Sequence, residues 1–112
     1  MKNNKELQDK IQEAQVLEQN LQNLLLQKQV FLYELNETAS ALEETEKTKD
    51  DIYKIVGQVM LKSKKQDIIK ELEEKKEILN LRIKAIENQE NNLKEKLEKI
   101  KGEIERLLKE KH

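Results

Sequence analysis

The residues that usually carry chemistry are scarce. There is one histidine, His112, at the last position, and no cysteine. A histidine-centred triad or a metal cluster needs more than that, and a zinc–thiolate site or disulfide framework needs cysteine. Carboxylates are plentiful, but Glu alternates regularly with Lys, the pattern of a solvated helix face. No G-x-x-x-x-G-K-[ST] or G-x-G-x-x-G stretch is present to cradle a phosphate. The reading is therefore a non-enzyme, with no catalytic residues, no metal and no cofactor. Asn36-Glu37-Thr38 matches a glycosylation sequon, but it falls inside a helical pattern without a signal peptide. Lys62-Ser63-Lys64-Lys65 is too short for a nucleic-acid footprint, and a pI near 6.0 argues against one; Lys64 and Lys65 could still meet an acidic partner. What remains is the chemistry of apolar contact. One set of residues surrounds Gly57: Tyr53, Ile55, Val56, Val59, Met60 and Leu61. Another sits near the chain ends: Leu7, Ile11, Ile100, Ile104, Leu107 and Leu108.

The elements that must position these residues follow from composition and period. Of 112 residues, 40% are charged and 3% aromatic, with no Trp and no Pro. Aromatics supply much of a compact core, so an ordinary globular domain is not expected. Yet 36% are hydrophobic and the net charge is −1, which is not the signature of disorder. A proline-free chain rich in Glu, Lys and Leu reads as long helices in a coiled coil. The series Leu7, Ile11, Ala14, Glu18, Leu21, Leu25, Lys28, Leu32, Leu35, Ala39, Leu42 steps by four and three, and nine of its eleven positions are apolar. Val16, Leu17, Leu24, Leu26, Val30 and Phe31 widen that stripe. A second series runs Ile69, Leu72, Lys76, Leu79, Ile83, Ile86, Glu90, Leu93, Leu97, Ile100, Ile104, Leu107, and ten of twelve are apolar. No apolar run approaches the length of a membrane span, and Met1–Glu6 lacks the apolar core of a signal peptide. A cytoplasmic location is the expectation.

Between the seams the period changes. Lys47–Asp51 has no apolar residue and reads as a connection. Ile52–Val56 concentrates β-branched and aromatic residues, which favours strand. Gly57 suits the first central position of a type II′ turn, where φ is positive. That register sets Val56 against Val59, Ile55 against Met60 and Tyr53 against Lys62. A plain loop between two helices is the alternative. Ser63 followed by Gln66 reads as a capping box opening the second helix. The expected organisation is one domain over 1–112, with helices over 1–48 and 64–111 and a β-hairpin over 52–62. Charge supports an antiparallel fold-back: residues 1–51 carry net −5 and residues 52–112 net +4. An arm of about 40 residues is ~60 Å long, so a rod is expected, with the hairpin at one end and both termini at the other. Lys28 and Glu90 interrupt the two seams and fall within about a turn of each other in that fold-back. They form either an ion pair that fixes register or two side chains snorkelling to solvent.

A lone two-stranded hairpin is marginal in water. This one carries Val56, Val59 and Leu61 on one face and Tyr53, Ile55 and Met60 on the other, and its edges are unpaired. Assembly is the simplest remedy: hairpins from several subunits closing into a β-barrel hub. At the chain ends the seam residues Leu7, Ile11, Ile104, Leu107 and Leu108, with Ile100, either complete the coiled coil or form a frayed, partly exposed patch that binds something apolar.

The stretches Leu21–Gln29, Leu35–Thr38 with Ala41–Glu44, Ile52–Gly57, Leu79–Arg82 and Gln89-Glu90 together resemble the beta subunits of prefoldin. Tyr53-Lys54 with Val56-Gly57 is the most specific part. A second hairpin insert of the alpha type is missing, which favours the beta side, and the bare ends suggest an archaeal type. The resemblance implies a hexamer of two alpha and four beta subunits whose hairpins form the barrel. It also implies an ATP-independent co-chaperone, a holdase whose coiled-coil tips bind unfolded polypeptides and pass them to a group II chaperonin. Two other classes are weighed against it: a structural or tethering coiled coil, and a helical-hairpin binder of one client, like a tubulin-folding cofactor.

Overall fold

The structure, a computed structural model, describes residues 2–110, with side chains from Asn4 to Glu110. Lys111 and His112, within and just past the expected second helix, lie outside the described residues. Four elements follow one another: α1 (Lys2–Lys47), β1 (Ile52–Val56), β2 (Val59–Ser63) and α2 (Lys65–Glu110). The two long helices run antiparallel and are joined by the β-hairpin. Good helix formers without an internal proline allow helices of 46 residues each. Isolated segments of such polar sequence would be marginal; the paired seams hold them.

The chain divides into two compact units, residues 1–28 with 85–112, and residues 29–84. In the first, Leu7, Leu97, Ile100, Ile86 and Leu107 are buried, with Ala14, Leu17, Leu21, Leu24, Leu93 and Ile104 half-buried. Lys10 Nζ lies 2.8 Å from Glu103, and Lys101 lies 3.9 Å from Glu18. In the second unit Leu79 and Ile83 are buried, and Phe31, Leu35, Ala39, Leu42 and Leu72 are half-buried. The Arg82 guanidinium sits 5.7 Å from the centre of the Phe31 ring, within cation–π range. Thr38 is buried but satisfied, because its hydroxyl donates to Glu34 O at 2.7 Å.

The seam of α2 follows the expected series, except that Lys76 is exposed. The seam of α1 differs at four of its eleven positions. Leu7, Ala14, Leu21, Lys28, Leu35 and Leu42 turn inward as expected, but Ile11, Glu18, Leu25 and Leu32 are exposed. Lys10, Leu17, Leu24, Phe31, Thr38 and Thr45 take the alternate positions, and Ala39 stays half-buried beside them. The physical reason lies in the width of the stripe. Leu24-Leu25-Leu26 and Val30-Phe31-Leu32 offer apolar residues to both heptad registers. Facing side chains decide between them: Arg82 reaches Phe31, and Glu103 reaches Lys10.

Around the hairpin, α1 stops where Thr48 N–H makes the last helical bond, to Glu44 O at 3.0 Å. The Thr48 hydroxyl then accepts from Asp50 N–H at 3.2 Å and turns the chain out. The strands pair in the expected register, Val56 with Val59, Ile55 with Met60 and Tyr53 with Lys62. Gly57 has φ +60 and no non-glycine among the described residues has positive φ. That is the type II′ pattern, since type I′ needs positive φ at both central residues. The capping box does not form. Ser63 is drawn into β2 opposite Ile52, and its hydroxyl donates to Leu61 O at 3.4 Å. Lys64 caps α2 instead, its carbonyl accepting from Ile68 N–H at 3.2 Å. Asp67 in the first turn complements the helix dipole.

Candidate functional site

Two surfaces carry the residues that sequence reasoning singled out. The first is the hairpin, in residues 29–84. Tyr53, Ile55, Val56, Val59, Met60 and Leu61 are all exposed, Ile55 at 69%. Strand alternation puts Val56, Val59 and Leu61 on one face and Tyr53, Ile55 and Met60 on the other. Gly57 turns the ribbon at its tip. The sheet has only these two strands, so each strand keeps one edge of unpaired backbone groups. The ribbon is nonetheless firmly attached. Lys54 Nζ donates to Glu71 of α2 at 2.8 Å. Lys65 Nζ donates to Glu46 O at 2.8 Å and Thr48 O at 3.1 Å, so an ammonium at the start of α2 covers the last carbonyls of α1. A cation there satisfies orphan acceptors and opposes the negative end of the helix dipole. Sequence reasoning noticed Lys65 only as part of a basic run.

The second surface is at the start of α1 and the end of α2, in the other unit. Here the two alternatives, seam completion and an exposed apolar patch, divide the residues between them. Leu7, Ile100 and Leu107 are buried and Ile104 is half-buried, whereas Ile11 and Leu108 are exposed. Leu7 and Leu107 take the first of the two states open to them and complete the coiled coil. Both helices continue past these residues, α1 back to Lys2 and α2 on to Glu110, so each still has a partner turn to pack on. The pair Lys10–Glu103 closes the seam one turn further in. Contact with Glu103, and then its charge, raises the Lys10 ammonium above its ordinary value; contact with Lys10 holds Glu103 below the usual carboxylate range against the opposing effect of desolvation.

Lys28 and Glu90 combine the two expected behaviours. Lys28 Nζ reaches 3.3 Å from Glu87 and 3.6 Å from Glu90. The Glu87 contact is the main cause that raises the Lys28 ammonium, with desolvation opposing it. Glu90 stays inside the seam, its side chain 9% exposed and its Oε1 without a hydrogen bond. Asn36-Glu37-Thr38 lies within α1 as expected. Among the described residues no group of acidic or histidine side chains is placed to hold a metal ion, and no helix is long and apolar enough to cross a membrane. Sequence reasoning did not single out the amide-lined groove at Asn20, Asn23, Gln89 and Asn92, nor the outward Ile78 and Leu81. Both were legible as exceptions on the heptad flanks, the amides on α1 and α2 and the apolar pair on α2.

Two paired helices that present an uncovered apolar β-ribbon are the arrangement of a family described as prefoldin subunit, whose model matches residues 8–111, and the chain belongs to that family. Prefoldin subunits are chaperone components and not enzymes. Within the family the chain is of the beta type. It is 38% identical over 105 residues to the prefoldin subunit beta of Archaeoglobus fulgidus, covering 92% of this chain and 90% of the relative. To the prefoldin subunit beta of Pyrococcus furiosus it is 41% identical over 93 residues, covering 81% and 80%. The crystal structure of the prefoldin beta subunit from Thermococcus strain KS-1 superimposes with a TM-score of 0.86 at 37% identity, over 90% of each chain. That family membership implies a chaperone role and a complex with alpha subunits.

Proposed function

We propose that the chain is an ATP-independent holdase subunit. Its hairpin joins those of neighbouring subunits in a β-barrel hub, two alpha and four beta. The helix ends hold unfolded polypeptide and deliver it to a group II chaperonin in the cytoplasm. The observation that supports the assembly is the hairpin itself, with six large apolar side chains uncovered on its two faces. A ribbon of that kind is marginal alone and gains most by pairing its edges and burying both faces. Tyr53, Ile55, Val56, Gly57, Val59, Met60 and Leu61 are its assembly residues.

Client contact is assigned to the helix ends, in two grades. Ile11 and Leu108 are presented directly. Leu7, Ile100, Ile104 and Leu107 become available when the last turns separate, which is the cheapest opening a helix pair has. Unfolded chains offer scattered apolar groups without fixed geometry, and a seam that opens can adapt to them. Each contact is weak, and several ends on one hub raise the avidity. The test is removal of residues 1–11 together with 103–112 from the co-expressed complex. Native mass should be that of an intact hexamer less the deleted residues, and suppression of client aggregation should vanish. Undiminished protection by the truncated complex would place client binding elsewhere.

A further inference from the structure

Within the unit formed by residues 1–28 and 85–112, the helices leave an open groove of about 440 Å³. Asn20, Asn23 and Leu24 of α1 and Gln89, Asn92, Leu93 and Lys96 of α2 line it. The four amides are exposed and the two leucines half-buried, so the groove has an apolar floor and carboxamide walls. Among the described residues none of these amides hydrogen-bonds within the chain.

The local composition is unusual for this molecule. Residues 19–27 carry no charge in a chain that is 40% charged. Residues 88–92 carry only Glu90, which is turned into the seam. Coiled-coil flanks ordinarily hold Glu and Lys, which pair across the helices. Asn is a poorer helix former than either, so its use at positions 20, 23 and 92 costs helix stability. Among the described residues no side-chain hydrogen bond offsets that cost.

Chemistry narrows what the groove is suited to. A carboxamide offers both donors and an acceptor, whereas Lys only donates and an ionised Glu only accepts. Its polar groups match those of a peptide bond. Carboxamide walls beside an apolar floor fit an extended main chain, with its N–H and C=O groups on the amides and an apolar side chain on Leu24 and Leu93. A folded protein keeps its main chain occupied in helices and sheets. We propose that this groove binds the main chain of an extended segment of unfolded polypeptide, independently of its sequence. It thereby adds a polar contact to the apolar ones at the helix ends, and it rests on the holdase reading above.

The test uses the full chain in its complex with the alpha subunit. Two probes are compared by fluorescence anisotropy: a short labelled peptide of Leu, Ala and Ser, and its twin with every second main-chain nitrogen methylated. The variant is Asn23→Ala/Asn92→Ala, which improves helix propensity and so keeps the fold. The native complex should bind the unmethylated peptide about three- to tenfold more tightly, the range one or two net hydrogen bonds give. That preference should disappear in the variant. Equal binding of the twins by the native complex, or a preference that survives in the variant, would overturn the proposal. Aggregation suppression by the native complex is measured alongside. If it is present while the twins bind equally, only the groove assignment fails. If the native complex neither suppresses aggregation nor binds either peptide, the holdase reading fails and the groove with it.

Discussion

Leu79 is 2% exposed, the most enclosed apolar side chain of the α2 seam, and Leu25 of α1, a seam residue by its heptad, is 48% exposed. Truncating each to alanine asks which register α1 uses. Leu79→Ala removes about three methylene equivalents from a buried site, at ~0.8 kcal/mol each, or about 2.4 kcal/mol. A cavity term adds to this, and Leu→Ala losses in cores run to ~5 kcal/mol. The layer between two helices is a single side chain thick and open along both flanks, so water and neighbours refill the space. The expected loss is therefore about 2.5–3 kcal/mol. Leu25→Ala removes the same atoms from a surface site and gains the better helix former, so its cost should stay below ~0.5 kcal/mol. The assay is guanidinium unfolding followed by helical circular dichroism, at one fixed protein concentration because assembly contributes to stability. A loss at Leu25 equal to that at Leu79 would refute the α1 register described above.

Four further outcomes are expected. Val56→Lys/Val59→Lys should leave helical content intact and reduce the native mass to that of free chains; full-mass complexes would show that the hairpin is not the hub. Gly57→Ala places a side chain at φ +60, a strain of roughly 1–2 kcal/mol, and should weaken assembly in a subunit-exchange assay without altering the start of α1 or the end of α2. Lys65→Met removes the ammonium from Glu46 O and Thr48 O, at about 1–2 kcal/mol, and should speed amide exchange in the last turn of α1 while Lys65→Arg largely restores protection. The Lys10–Glu103 pair should act between the two titrations. Glu103 is held below its ordinary 4.5, so its contribution is full above that value and fades as pH falls through the lowered one. Lys10 is raised above its ordinary 10.5, so its contribution is full below that value and fades as pH rises through the raised one. Amide exchange near Lys10 should quicken in acid, and Glu103→Gln should remove that acid response.

Much of this molecule is decided locally, and such features can be read from residues alone. The hairpin register follows from Gly57, because only one placement of a positive-φ glycine lets Val56 meet Val59. The α2 seam follows from its narrow stripe, since a single heptad register holds most of its Leu and Ile. The approach of Lys28 to Glu90 follows from the fold-back centred on the same glycine. Other features depend on what faces what. In α1 the apolar stripe is wide enough for two registers, and propensity is blind to the choice; Arg82 over Phe31 and Glu103 beside Lys10 make it. Ser63 has a capping sequence, but its backbone is worth more in the ladder opposite Ile52 than at a helix start. Lys65 capping the end of α1 joins positions far apart in the chain, and no local pattern announces that. The same holds for Leu7 and Leu107. Sequence places them near the chain ends, where helices fray, and only the pairing of two helices that both run past them puts them inside. A period along one helix says which side chains share a face; burial needs the second helix, and its position is set by contacts across the pair.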